Sequence, residues 1–354
     1  MTKGELAVDP VTDLKILRTE RWGRREFLKG LSTLAGSAGL LSFDPRLANA
    51  EPPPETTRIR LVKSSLCAAP EYIAEDLLRT EGFSDVQYLD DDPREIGTSK
   101  LIATGDADIN MSFGLTTLIR VDAGEPVVLL AGVHAGCYEL FGTERVRSIR
   151  DLRGSKVAIP GFGSTHHLFL SIMASFLGVD PRREINWVTL SREDAKRQLA
   201  EGKVDALLGF PPDPQELRAT KIGHVVVNTI TDQPWSQYFC CMVIGNREFV
   251  QRNPVATKRA LRAILKAADL CASDPNRAAR FLVERGYVQN QEYALQTMRE
   301  IPYRKWREYS PEDSARFFGL RLHEVGMIKS SPQKLIAQGT DWRFLNELKK
   351  ELKA

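Results

Sequence analysis

The sequence has no long apolar run, no charge excess of either sign and few cysteines, and each scarcity removes a class of protein. No uncharged apolar stretch reaches the roughly 20 residues a spanning helix needs. Lys and Arg number 49 against 46 Asp and Glu, a formal charge of +3, and setting the first fifty residues aside leaves 41 against 40. A chain so balanced lacks the one-sided basic surface that a reader of phosphate backbones needs, so nucleic acid is not expected as a partner. The five cysteines, Cys67, Cys137, Cys240, Cys241 and Cys271, show none of the paired CxxC spacings of a zinc or redox site. No metal and no cofactor is expected, and buried reduced thiols are the simplest reading. Neighbours on a strand point to opposite faces, so Cys240 and Cys241 suit one core thiol and one facing outward. HExxH, nucleophile-elbow and Walker patterns are also missing, so no catalytic residue is named and no enzyme is expected.

What is present begins with an address. Arg24-Arg25-Glu26-Phe27-Leu28-Lys29 matches a twin-arginine export pattern, and the uncharged run from Leu31 to Phe43 follows it. Ala48-Asn49-Ala50 supplies the small alternate residues a signal peptidase reads. Residues 1–50 are therefore expected to be a twin-arginine signal cleaved after Ala50, with the twin-arginine translocase as partner and the periplasm as destination. Glu51-Pro52-Pro53-Pro54 opens a stiff tether over 51–57.

The remaining 304 residues exceed the size at which one core usually stops growing, which predicts two lobes. Short β-rich runs alternate with amphipathic stretches: strands over 59–63, 86–89, 107–111 and 156–159, helices over 71–79 and 100–104. That alternation predicts an α/β fold with parallel sheets. Phe169, Ile172, Met173, Phe176 and Leu177 bury one face of a helix that Gly178 stops. Asn253-Pro254, Asp274-Pro275 and Ser310-Pro311 mark helix starts, Ser310 with Asp313 resembles a capping box, and Gly286 and Gly326 mark stops. No internal repeat is visible.

The ordered series Asp106-Ala107-Asp108-Ile109, Gly124-Glu125-Pro126-Val127-Val128, residues 151–161 (DLRGSKVAIPG), Gly163-Ser164-Thr165, Gly202-Lys203-Val204-Asp205-Ala206 and 249–254 resembles the periplasmic-binding family for sulfonates, nitrate and taurine. That family also holds the thiamine-pyrimidine precursor synthases. The resemblance implies a two-lobed type II periplasmic-binding-protein fold, each lobe a mostly parallel sheet flanked by helices, with lobe one at 58–150 and 241–354 and lobe two at 151–240. It implies a monomer that closes on a small organic anion or aromatic heterocycle and delivers it to an ABC-type permease. A precursor-synthase-like enzyme and a periplasmic sensor module are the alternatives.

Ligands of such sheets lie beyond the carboxyl ends of the strands, where loops and helix starts converge. Four loops qualify. Residues 64–70 offer Ser65 and Cys67, and 112–116 offer Ser112, Phe113 and Thr116. Residues 161–166 offer Gly163, Ser164, Thr165 and His166, with free amides suited to an anion and an imidazole able to add a hydrogen bond or a charge. Residues 210–213 offer Phe210 as an aromatic wall. His134 and Trp235 stand where the chain crosses between lobes, to line the cleft or pack the hinge. His166 and His167 diverge by about 100° on a helix, so at most one faces a ligand, and His166 is favoured.

Overall fold

The computed structural model describes residues 51–90 and 99–353; the twin-arginine pattern and the residues before the expected cleavage point lie outside the described residues. The first elements are β1 (Arg58–Val62), α1 (Ala69–Ile73), α2 (Glu75–Thr80), β2 (Asp85–Leu89), α3 (Ser99–Thr104), β3 (Ile109–Phe113), α4 (Gly114–Asp122), β4 (Val127–Ala135) and β5 (Glu139–Gly142). Then follow β6 (Lys156–Ile159), α5 (Thr165–Phe176), β7 (Asn186–Thr189), α6 (Arg192–Ala200), β8 (Ala206–Gly209), α7 (Asp213–Thr220), β9 (His224–Asn228) and β10 (Phe239–Asn246). The rest is helical, as expected: α8 (Arg247–Arg252), α9 (Pro254–Ser273), α10 (Pro275–Glu284), α11 (Gln291–Glu300), α12 (Pro311–Glu324), α13 (Pro332–Gly339) and α14 (Arg343–Glu351).

The strands form a β1-β2 pair, a three-stranded sheet β3-β10-β4 and a five-stranded sheet β7-β6-β8-β5-β9. β1 pairs with β2, and β6 with β7 and β8, in parallel, as helical crossovers require. The expectation of parallel sheets needs correction elsewhere: β10 runs antiparallel to both β3 and β4, and β5 antiparallel to β8 and β9. These exceptions are chain reversals. β10 and β5 lie where the backbone passes from one sheet to the other, and hydrophobic period reports which residues are buried but not which way a strand runs.

One side-chain device recurs in both sheet groups. Asp108 is buried and its Oδ2 accepts the Arg60 backbone N–H at 2.8 Å, while Arg60 pairs with Oδ1 at 2.6 Å. Asp205 is likewise buried and accepts the Lys156 N–H at 2.8 Å, with Arg145 at 3.4 Å. Each Asp closes a Gly-x-x-Asp turn, Gly105 to Asp108 and Gly202 to Asp205, so the two halves share a construction that no internal repeat announced. Asn110 continues the first, its Oδ1 accepting the Val62 N–H at 2.8 Å. With Asp108 occupied in this way, β3 begins at Ile109, two residues later than expected.

The expected helix over 71–79 breaks at Ala74 into α1 and α2. Glu71 on α1 is fully buried and accepts the Met111 N–H at 2.7 Å, pinning α1 to β3, and burial pushes its carboxyl well above the usual range. Asp274 and Ser310 cap their helices, accepting from Arg277 and Asp313 N–H. Asn253 does not: its side-chain amide donates to the Phe249 carbonyl, and Glu55 accepts the Val255 and Ala256 N–H groups at 2.9 Å each. A carboxylate there also complements the helix dipole. The core is one large cluster around β3, β4, β10 and α9, with a smaller one of Phe141, Leu199, Leu207 and Leu217 on the five-stranded sheet.

Candidate functional site

The loops named from sequence gather beyond the carboxyl ends of β1, β3, β6 and β8. After β1 a short 3-10 turn, Leu66–Ala68, turns Cys67 inward, and the Ser65 Oγ lies 2.9 Å from its sulfur. β3 ends in Phe113 and passes directly into α4; Thr116 donates to the Phe113 carbonyl at 2.9 Å, so this hydroxyl is already engaged, and Ser112 is buried beside it. In the third loop Ser164 caps α5 by accepting the His167 N–H at 3.2 Å, and the exposed Gly163 donates its own N–H to His167 Nδ1 at 3.1 Å. The amides and hydroxyls expected to await an anion are thus partly spent on the helix start.

The centre of the arrangement is aromatic. Phe113 meets Tyr138 at 5.4 Å between ring centroids, Phe169 at 5.1 Å and Phe318 at 5.6 Å. Tyr138 in turn meets His166 at 5.9 Å and Phe210 at 5.6 Å, and His166 meets Phe210 at 5.1 Å. Trp235 joins through Phe169 at 5.9 Å. Thr165 lies beside the Tyr138 hydroxyl. Mostly edge-on contacts of this kind are the favoured geometry for rings and hold a wall without covalent ties. Phe113, Tyr138, His166, Phe169 and Trp235 are all buried, so the loops here close on their own side chains.

His166 and His167 diverge as expected. His166 faces the rings, while His167 faces outward between Phe162 and Trp187, where a surface cavity of about 680 Å³ also meets Arg182 and Met327. None of the twelve residues expected at the site lines that cavity. Burial, with the Arg192 guanidinium nearby, lowers His166 to about 3, so it is neutral at physiological pH and supplies no charge, contrary to one of its two expected roles. Arg192 lies 4.7 Å above the Phe210 ring and donates to Asp213 at 2.9 and 2.7 Å.

Sequence reasoning passed over Tyr138, Phe169, Phe318 and Arg192. Tyr138 had a signal, since it lies four residues beyond His134 in the same crossing; Phe169 was assigned to a helix core, which it also serves. Phe318 had none, because it reaches the wall from α12.

Behind the rings lies a sulfur cluster. Cys67 Sγ is 3.8 Å from Cys241 Sγ, and Cys137 Sγ is 3.0 Å from Cys240 Sγ. All five cysteines are buried and unbridged. The outward-facing thiol expected of the Cys240-Cys241 pair does not occur. β10 is irregular against β4 at this point, with register shifts between Phe239 and Cys241 and again between Cys241 and Met242, and a bulge removes strict alternation. The neighbouring thiols of Cys137, Cys240 and Cys67 hold the Cys241 thiol well below its ordinary value. His134, fully buried, contacts the Gly136 carbonyl through Nδ1 at 3.0 Å and packs on Tyr303.

Residues 79–278, more than half of the chain, match the family described as NMT1/THI5 like. The chain belongs to the NMT1/THI5-like family. Among curated relatives of this family member, the 4-amino-5-hydroxymethyl-2-methylpyrimidine phosphate synthases THI5 and THI12 of Saccharomyces cerevisiae are each 26% identical over 230 residues, 59% of this chain. The chain spans 66% of their length, just under two thirds. The nitrate-binding protein NrtA of Synechocystis PCC 6803 superposes with a TM-score of 0.67 at 17% identity, over 85% of this chain and 90% of that one. The alkanesulfonate-binding protein SsuA of Xanthomonas axonopodis pv. citri, bound to MOPS, gives 0.63 at 16% identity over 83% and 99%. The NMT1/THI5-like chain therefore has the type II periplasmic-binding-protein fold.

Proposed function

We propose that this protein is an exported, periplasmic solute-binding protein that captures a small planar solute between two lobes and hands it to an ABC-type permease. The observation that carries the reading is the ring wall of Phe113, Tyr138, His166 and Phe210, gathered at the carboxyl ends of strands from both sheets in a type II binding fold. Lobe one comprises 58–150 and 241–354, and lobe two 151–240. Solute enters when the lobes part between Phe113 and Phe169, and closure around it follows from contacts made to both lobes at once. A neutral imidazole and a wall of edge-on and tilted rings favour an aromatic heterocycle over an anion, with the Ser65, Ser112 and Thr165 hydroxyls selecting its polar edge. Export by the twin-arginine pattern agrees with delivery outside the cytoplasm.

The test is thermal unfolding of the purified protein against pyrimidines, other planar heterocycles, aromatic acids, sulfonates and nitrate. A ligand at about a thousand times its dissociation constant adds about 4 kcal/mol, a shift of several degrees. Selective stabilisation by a heterocycle that disappears in Phe210→Ala supports the reading. A shift with sulfonates alone, or none in protein shown to be ligand-free, overturns it. The curated relatives' name favours a second reading, a pyrimidine-forming enzyme. The two separate on whether bound heterocycle is recovered unchanged after incubation or appears as a new product.

A further inference from the structure

We propose that Cys67, Cys137, Cys241 and His134 form a binding site for a thiophilic divalent ion of the zinc class. The three sulfurs lie within 4.8 Å of one another, and all three residues are buried. In a tetrahedral site with metal–sulfur bonds of about 2.3 Å the sulfurs are about 3.8 Å apart. The Cys67–Cys241 separation of 3.8 Å already has that value. Bringing Cys137 to the same spacing takes a side-chain movement of about 1 Å.

His134 would supply the fourth donor by moving toward the sulfurs, since its nitrogens lie outside the group that the three cysteines form within 4.8 Å. Its Nδ1 donates to the Gly136 carbonyl at 3.0 Å, so Nε2 is the nitrogen that would turn to an ion. Nε2 is buried and has no hydrogen-bond partner, although the ring lies beside the Cys241 and Cys67 sulfurs. An apolar core would fill the same space without an unpartnered nitrogen, which costs desolvation to keep. Three sulfurs and one imidazole are a donor set for zinc in a closed four-coordinate site, and the thiol protons leave to solvent as the ion binds.

The donors come from the turn after β1, the end of β4 with the residues after it, and the start of β10. An ion here clamps the first loop to both crossings of the chain. The inference stands apart from the identity of the solute. Cys240, 3.0 Å from Cys137, competes for that sulfur, so the site belongs to the reduced protein.

The experiment is titration of the full-length protein with cobalt(II), thiols kept reduced and oxygen excluded. One equivalent should give an intense sulfur-to-cobalt charge-transfer band with visible bands of tetrahedral strength, and zinc should abolish both. Cys67→Ser and Cys241→Ser should each lower the charge-transfer band by about a third or more, and Cys271→Ser, on α9 away from the cluster, should leave it intact. Should either serine variant fail to fold, zinc protection of the wild-type thiols from alkylation replaces it: labelling of Cys67, Cys137 and Cys241 slowed by zinc supports the site, and labelling of these three unchanged by zinc overturns it. Weak octahedral cobalt bands, or a charge-transfer band undiminished in Cys67→Ser, overturn the proposal.

Discussion

Asp108 and Asp205 do the same work in two different sheets. Each accepts the backbone N–H of a neighbouring strand at 2.8 Å, Asp108 from Arg60 and Asp205 from Lys156. The cations differ: Arg60 is held by both of its outer contacts to Asp108, whereas Arg145 is mostly exposed and reaches Asp205 at 3.4 Å. Exposed pairs contribute little. Asp108→Ala is therefore expected to cost about 3 kcal/mol and Asp205→Ala about 2 kcal/mol, from amides left unpaired and, in the first case, a cation left alone. Urea unfolding checks this, with the midpoint moving and the slope unchanged. Equal losses would show that the guanidinium adds nothing.

Acid should act through His166. Its folded value of about 3 lies below the ordinary 6.5, so the unfolded chain takes up a proton first as pH falls. The contribution of this group is complete above about pH 6.5 and is lost between there and pH 3, at up to about 1.4 kcal/mol per pH unit. His166→Gln should flatten that part of the stability profile between pH 7.5 and pH 5. A profile parallel to wild type would place the acid sensitivity elsewhere.

Glu139 has the opposite sign. Burial raises its carboxyl to about 7, against the pull of Arg218, whose guanidinium bonds it at 2.6 Å and also holds Glu300 at 2.7 Å. An acid raised from 4.5 contributes most below pH 4.5, and that contribution is lost as pH rises to about 7. Arg218→Met leaves the carboxylate buried without its cation. The expected loss is about 3 kcal/mol at pH 8 and clearly less at pH 5, where the proton takes the cation's place. Adding Glu139→Gln should recover most of the loss at pH 8; a loss independent of pH would assign it to packing instead.

Strand and helix order was readable in the sequence because burial alternates with period two in strands such as β1 and with spacings of three and four in α9; α5 departs from its expected single buried face, since residues 168–174 are buried all round and Phe176, expected inside, is exposed. The converging loops were readable because strand ends followed by glycine, serine and threonine mark the carboxyl edge of a sheet. What stayed hidden depends on partners far along the chain. Asn253 looks like a cap, but Glu55 takes the amides from 200 residues away. Ser164 and Thr116 look like free ligand donors until their own helix starts use them. The Cys240-Cys241 pair follows the rule of opposite faces until a bulge, invisible in composition, sets both thiols inside.

The crossing itself is tested at Gly136. Its φ of +57° lies in the left-handed region, and a Cβ there would press on the Thr229 backbone. Thr229 is the staple of that crossing: its hydroxyl accepts the Cys137 and Tyr138 N–H groups at 3.1 and 2.9 Å and donates to the Tyr138 carbonyl at 2.8 Å. Gly163 has a similar φ of +82° but open space around it. Gly163→Ala should therefore cost only the strain of the backbone conformation, about 1 kcal/mol. Gly136→Ala should cost at least about 3 kcal/mol, because strain adds to displacement of a packed backbone. The comparison is made by thermal unfolding, with Trp235 fluorescence reporting the ring wall beside the crossing. If both alanine variants lose the same stability, the conformation alone requires glycine and the close approach of the two chain segments is incidental. If Gly136→Ala also shifts the Trp235 signal in the folded protein, the crossing governs how tightly the wall closes.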